Sequence, residues 1–125
     1  MKLYKQTILH SESTNGNCWA TCLACLLDLD QIPELDILNE NWWDLSEQIA
    51  NTKNLTLFEF PWYGGRFQPR LCIVSGDSPR GNFKHSVIGK LHMNKEKAWV
   101  ELLHDPHPDN TFITSVDYIT LALPQ

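Results

Sequence analysis

Three residues far apart in this 125-residue chain have side chains that could act as one unit: Cys18, His85 and Asp105. A thiol, an imidazole and a carboxylate supply a nucleophile, a proton carrier and a group that orients the carrier. Cys18 follows the polar turn Asn15-Gly16-Asn17 and opens an uncharged run that reaches Leu27. If that run is helical, Cys18 lies in the first turn. There the exposed backbone N–H groups and the positive end of the helix dipole favour a thiolate. The bland alternative is that Cys18 is a small apolar core residue. His85 lies in Lys84-His85-Ser86-Val87-Ile88, and Asp105 ends Val100-Glu101-Leu102-Leu103-His104-Asp105. A turn near residues 93 to 96 folds these runs into a hairpin, so that His85 and Asp105 meet across an antiparallel pair. The carboxylate then fixes the tautomer of the ring and supports its positive charge. Pro106 and Pro108 stiffen the chain after Asp105.

The elements that must position these residues can be read from periodicity. Lys2 to Ile8 alternates as a strand, and residues 10 to 17 form a polar loop. The central helix is expected from about Asn17 to Leu29, ended by Asp30-Gln31-Ile32-Pro33. Asn39 is a candidate cap for a second helix reaching about Thr52, with Trp42, Leu45 and Ile49 on its apolar face. Trp42 and Trp43 are adjacent, so both cannot face the core and one is free to line a cleft. Strands follow at about 55–60, 70–75, 84–92 and 97–104, and 114–123 closes the chain as an edge strand. Helices first and strands afterwards, with short connections, predict one α+β domain over residues 1–125. Its antiparallel sheet is covered on one side by helices.

Composition narrows the function classes. The chain is 42% hydrophobic and 20% charged with net charge −5, the balance of a soluble globular protein. No Lys/Arg cluster stands out, which argues against nucleic acid as a partner. No run approaches the ~18 apolar residues of a membrane span, and Met1 to Ser13 lacks the apolar core of a signal peptide. Four cysteines without an export signal suggest free thiols and a cytoplasmic setting.

With these residues in view, the chain resembles the papain-like cysteine peptidase superfamily in a minimal form. It is similar in particular to the peptidase domains that remove leader peptides in bacteriocin export. Gln6, Cys18, His85 and Asp105-Pro106 match the order of their motifs. It also resembles small uncharacterised bacteriophage-encoded proteins, through Gly16-Asn17-Cys18, Ser78-Pro79-Arg80-Gly81 and His104-Asp105-Pro106-His107-Pro108. The resemblance implies a central N-terminal helix packed on an antiparallel sheet. It further implies a thiol hydrolase acting on an amide or isopeptide bond of a peptide or protein substrate, with no cofactor and no metal. Cys18 would be the nucleophile, His85 general base then acid, Asp105 the orienter and Gln6 the oxyanion donor. For a phage-encoded chain the setting would be the host cytoplasm. One departure stands: Gln6 lies twelve residues before Cys18, about twice the separation in the exporter-type domains. A doubled-back loop from residue 10 to 17 would repair this; otherwise Asn15 or Asn17 takes the role. Gln6 can equally be an ordinary strand residue.

Other readings compete. Cys18-x3-Cys22-x2-Cys25 has the spacing of a radical-SAM cluster motif, but this chain is too short for the barrel that motif serves. A stripe of small apolar thiols on one helix explains it at less cost. Zinc on these cysteines and Cys72 lacks paired short loops. His104-Asp105-Pro106-His107 contains metal-ligand types without a second cluster to complete a site. Arg80 is a candidate for binding a substrate carboxylate, or a solvated surface arginine. Trp62, Tyr63 and Arg66 in a Gly-rich loop form a binding wall or cover a strand. Peptidase, deamidase and transglutaminase share the same machinery, and a non-enzymatic phage-type binder would leave the triad vestigial. Oligomeric state is not legible.

Overall fold

The uncharged run forms the helix α1, Cys18–Leu26, in a computed structural model that describes residues 2–11, 16–62 and 68–125. Cys18 through Cys25 are all buried, as an all-round apolar helix requires. The helix stops earlier than the expected Leu29. Asp28 takes a left-handed backbone (φ 55°), and the Leu29 and Asp28 N–H groups turn back to the carbonyls of Ala24 (3.0 Å) and Cys25 (3.5 Å). This Schellman-type ending closes the helix before Pro33 comes into play. The second helix, α2, is Trp42–Asn51. It starts later than expected because Asn39 Oδ1 accepts the Asn41 N–H (3.0 Å) in the turn ahead of it. Ser46 and Ala50 are its buried residues. Trp42 and Trp43 both pack against the core from the flanks, so neither is excluded from it.

The five strands are β1 Leu55–Pro61, β2 Arg70–Asp77, β3 Lys84–Met93, β4 Ala98–His104 and β5 Tyr118–Pro124. They pair antiparallel in the order β1-β5-β2-β3-β4, so the fold is α+β. The last strand is therefore interior, not an edge, with Ile119 and Thr120 almost wholly buried. The edges are β1 and β4, and the edge place of β1 explains why only Leu57 of that strand is buried and Phe58 stands exposed. Alternation along the strands splits the core in two. Ile73 and Ile88 pack with α1 and Ala50 of α2. Val74, Val87, Ile119 and Leu121 pack on the other face under Trp62, Phe112, Ile113 and Val116. No helix of the described residues is long and apolar enough to cross a membrane.

The expected strand at Lys2 to Ile8 does not join the sheet. It is an extended strap whose polar groups are taken by α1 and by the chain after β4. Tyr4 donates its N–H to Cys25 Sγ (3.2 Å) and its hydroxyl to the Leu29 carbonyl (2.6 Å). The Gln6 N–H donates to the Pro106 carbonyl (2.9 Å), and Lys5 Nζ to that of Asp105 (2.8 Å). The strap doubles back, and the Asn17 N–H bonds the Ile8 carbonyl (2.9 Å). Gly16 makes this possible. Its φ is 75°, and a Cβ there would lie 2.8 Å from both His10 N and Ile8 O.

A β-bulge completes the frame. Ile88 pairs with His104 but Gly89 pairs with Leu102, which leaves Leu103 as an extra residue. Continued by one pair, this register sets Asp105 opposite Val87, on the side of the strand that His85 shares. Without the bulge Asp105 would fall opposite Ser86 and point to the other face.

Candidate active site

Cys18, the first residue of α1, is 8% exposed and lines two cavities. One, of about 240 Å³, is also lined by Gln6, His10, Arg80, Lys84, His85 and His107. Three catalytic candidates from distant parts of the chain thus border one space. The fourth, Asp105, lies behind His85.

The His85–Asp105 contact is short and dry. His85 Nε2 and Asp105 Oδ1 are 2.6 Å apart, with the two side chains 2% and 0% exposed. Asp105 is held on every side. Its Oδ1 also accepts the His107 N–H (2.9 Å), and Oδ2 accepts the Phe112 N–H (2.8 Å). Burial pushes the carboxyl pKa up, but the bonds from His85, His107 and Phe112 and the charge of His85 bring it down to about 2. Burial pulls the His85 ring down. Hydrogen bonding with Asp105 and Cys18, and the negative charge of each, outweigh this and raise it to about 9. With Nε2 on Asp105, Nδ1 is the ring nitrogen left for the thiol. The other cysteines sit in poorer settings for attack. Burial raises Cys22 well above the ordinary thiol value, raises Cys25, and pushes Cys72 up to about 12.

The doubled-back strap carries Gln6 to the wall of this cavity despite its distance along the chain. Its Nε2 donates to the Ile8 carbonyl (2.9 Å) and keeps a second N–H. Its Oε1 is buried without a partner among the described residues, the kind of polar group that functional sites retain. Asn17 does not substitute for it. Its side chain accepts the N–H groups of Thr7 (3.1 Å) and Ile8 (3.0 Å) and donates to Thr7 Oγ1 (2.9 Å). That amide ties the strap to the helix start, borders a different cavity, and makes no capping bond to α1. Asn15 lies outside the described residues.

The remaining candidates divide. Arg80 borders the Cys18 cavity, its Nη1 fixed by Asp109 Oδ1 (3.0 Å) and Thr111 Oγ1 (2.8 Å). Trp62 packs on the far face of the sheet with Cys72 and Val87 and lines neither cavity at Cys18. Its N–H bonds the Asp117 carbonyl (2.9 Å) beside the end of β1. Tyr63 and Arg66 lie outside the described residues. His104 Nε2 donates its N–H to the Tyr4 carbonyl (2.6 Å) and serves the strap. Among the described residues no group of three or more His, Cys, Asp or Glu side chains is placed to hold a metal ion.

Sequence reasoning missed several residues that border Cys18. Lys84 lines both cavities, held by Asp77 (2.5 Å) and Asp117 (2.8 Å). His10 stacks on Phe83 with ring centroids 3.7 Å apart, forming one wall. The second cavity, about 270 Å³, is bordered by Trp19, Ile37, Trp42, Glu59 and Tyr118. Lys84 and Trp19 carried a signal in their adjacency to His85 and Cys18, and Trp42 in its adjacency to Trp43, which marked one of the two for a cleft. The others arrive through loops and strand ends.

The chain matches no protein-family model, no curated protein and no solved structure, so its reading rests on this geometry.

Proposed function

We propose that the protein is a papain-like thiol hydrolase that cleaves an amide or isopeptide bond of a peptide or protein through an acyl-enzyme. The observation that carries this is one cavity bordered by Cys18, His85 and Gln6, with His85 backed by the buried Asp105 at 2.6 Å. His85 Nδ1 takes the thiol proton, and the sulfur attacks the carbonyl carbon. The C=O electron pair moves to oxygen, which is met by the Cys18 N–H and the second N–H of Gln6 Nε2. The pair returns, the C–N bond breaks, and the nitrogen takes the proton from His85. Water then enters, gives a proton to His85 and displaces the sulfur. An amine in place of water would make the reaction a transamidation. Arg80 borders the same space. Because Asp109 already balances its charge, it would meet a substrate carboxylate through N–H donors.

The test is competitive alkylation with iodoacetamide, read peptide by peptide by mass spectrometry. Cys18 is expected to react far faster than Cys22, Cys25 and Cys72, and the preference is expected to shrink in His85→Ala. Equal, slow labelling of all four thiols would instead favour a binding protein with a vestigial triad.

A further inference from the structure

We infer, resting on the hydrolase reading, that the second cavity at Cys18 receives a bulky apolar side chain from the acyl half of the substrate. The direction follows from the chemistry. His85 must reach the leaving nitrogen, and Gln6 the oxyanion. Both line the 240 Å³ cavity and neither lines the 270 Å³ one. Cys18 borders both. The leaving amine therefore runs out past His85, and the acyl chain runs the opposite way.

The character of that side is set by its walls. Trp19, Ile37, Trp42 and Tyr118 form most of it. The walls are held in place before any ligand arrives. Trp19 Nε1 donates to Ser46 Oγ (3.0 Å) in the core, and the Trp19 and Trp42 rings meet edge to face at 5.3 Å. The hydroxyls of Ser75 and Ser86 bond each other (2.9 Å), which occupies one of their two donors. Lys84 is held by two aspartates, Asp77 and Asp117. Glu59, on exposed β1, is the one carboxyl group among the residues lining it. Its carboxyl is raised by burial against the Thr120 hydrogen bond that lowers it. A pre-formed, aromatic-walled pocket with few unmatched polar groups selects an apolar side chain. The neighbouring cavity, lined by Arg80, Lys84, His10 and His107, offers donors instead.

The experiment uses peptidyl chloromethyl ketones, in which the Cys18 sulfur displaces chloride and forms a C–S bond. Two series, acetyl-Ala-Gly-X and acetyl-Ala-X-Gly, with X as Gly, Leu, Phe, Lys or Asp, place the variable side chain at or next to the carbonyl. Rates of Cys18 modification are read by mass spectrometry on the intact chain. In one series Leu and Phe are expected to react about ten- to a hundredfold faster than Gly, the range that burying one such side chain supports. Lys and Asp are expected to match Gly or fall below it. Tyr118→Ala, at an exposed position, is expected to lower the Phe-to-Gly ratio severalfold. Selective iodoacetamide labelling of Cys18 with no Leu or Phe preference would overturn this inference and leave the hydrolase reading intact. A Lys preference would overturn it in favour of a basic side chain reaching Glu59. Loss of iodoacetamide selectivity itself would overturn both.

Discussion

The β3–β4 hairpin carries two histidine–carboxylate pairs of similar geometry, one at each end. His85–Asp105 closes at 2.6 Å and His92–Glu101 at 2.8 Å. Their surroundings differ. The first pair is 2% and 0% exposed, the second 25% and 53%. Asp105 has two backbone N–H partners besides the imidazole, whereas the His92 ring stacks on Trp99 at the surface (5.3 Å). A thiol stands beside His85, and an indole beside His92. Contact distance alone therefore does not define a site. Removal from water, further donors on the carboxylate, and a thiol bordering the same cavity distinguish the two ends.

The largest expected difference is in stability. Asp105→Ala strands the His85 ring and the N–H groups of His107 and Phe112 in a dry place, at about 3–5 kcal/mol. Glu101→Ala is expected to stay within about 0.5 kcal/mol, as exposed pairs do. Urea unfolding followed by tryptophan fluorescence measures both, and equal costs would erase the distinction. The pH dependence sharpens it. His85 is raised from its ordinary 6.5 to about 9, so its contribution is complete below 6.5 and is lost as pH rises through about 9. Asp105 is lowered from 3.8 to about 2, so its contribution is present above 3.8 and is lost as pH falls through about 2. The pair thus stabilises most between about 4 and 6.5, by a few kcal/mol. The urea midpoint is expected to fall from pH 6.5 to 9, and to lose that slope in His85→Ala but keep it in His92→Ala.

Reactivity separates the ends again. His85→Ala is expected to slow Cys18 alkylation at pH 7 at least ~tenfold, and His92→Ala to leave it unchanged. A matching loss in both variants would show that the rate reports the fold rather than the neighbouring imidazole. A smaller effect tests how the buried end is assembled. Gly16→Ala puts a Cβ against His10 and Ile8 at a left-handed position and is expected to cost about 1–2 kcal/mol. Urea titration checks this, and a neutral result would mean that the strap carrying Gln6 does not depend on that turn.

Legibility followed the range of the interactions. The apolar run at Cys18 to Leu27 reads as a buried helix, and alternation placed β2, β3 and β4 within a few residues of their observed ends. The nomination of Cys18, His85, Asp105 and Gln6 needed only residue type, spacing and the resemblance. Strand alternation alone could not say whether 2–8 would pair, because an extended segment looks the same on a sheet and on a strap. The order of β1 and β5 was equally hidden. Which of the two is an edge depends on where the chain returns after residue 105, not on the composition of either strand.

Local chemistry therefore determined the helix that presents the thiol, the hairpin that bears the imidazole and carboxylate, and the α+β class. Periodicity and turn preferences act over a few residues and are written in the order of the side chains. The tertiary structure decided the face on which Asp105 emerges, through one extra residue at Leu103. It also brought Gln6 back across twelve positions by way of Gly16, and it set an aromatic pocket against a donor-lined one around a single sulfur. Those outcomes depend on register and close packing between segments remote in sequence, where a shift of one residue reverses a side chain.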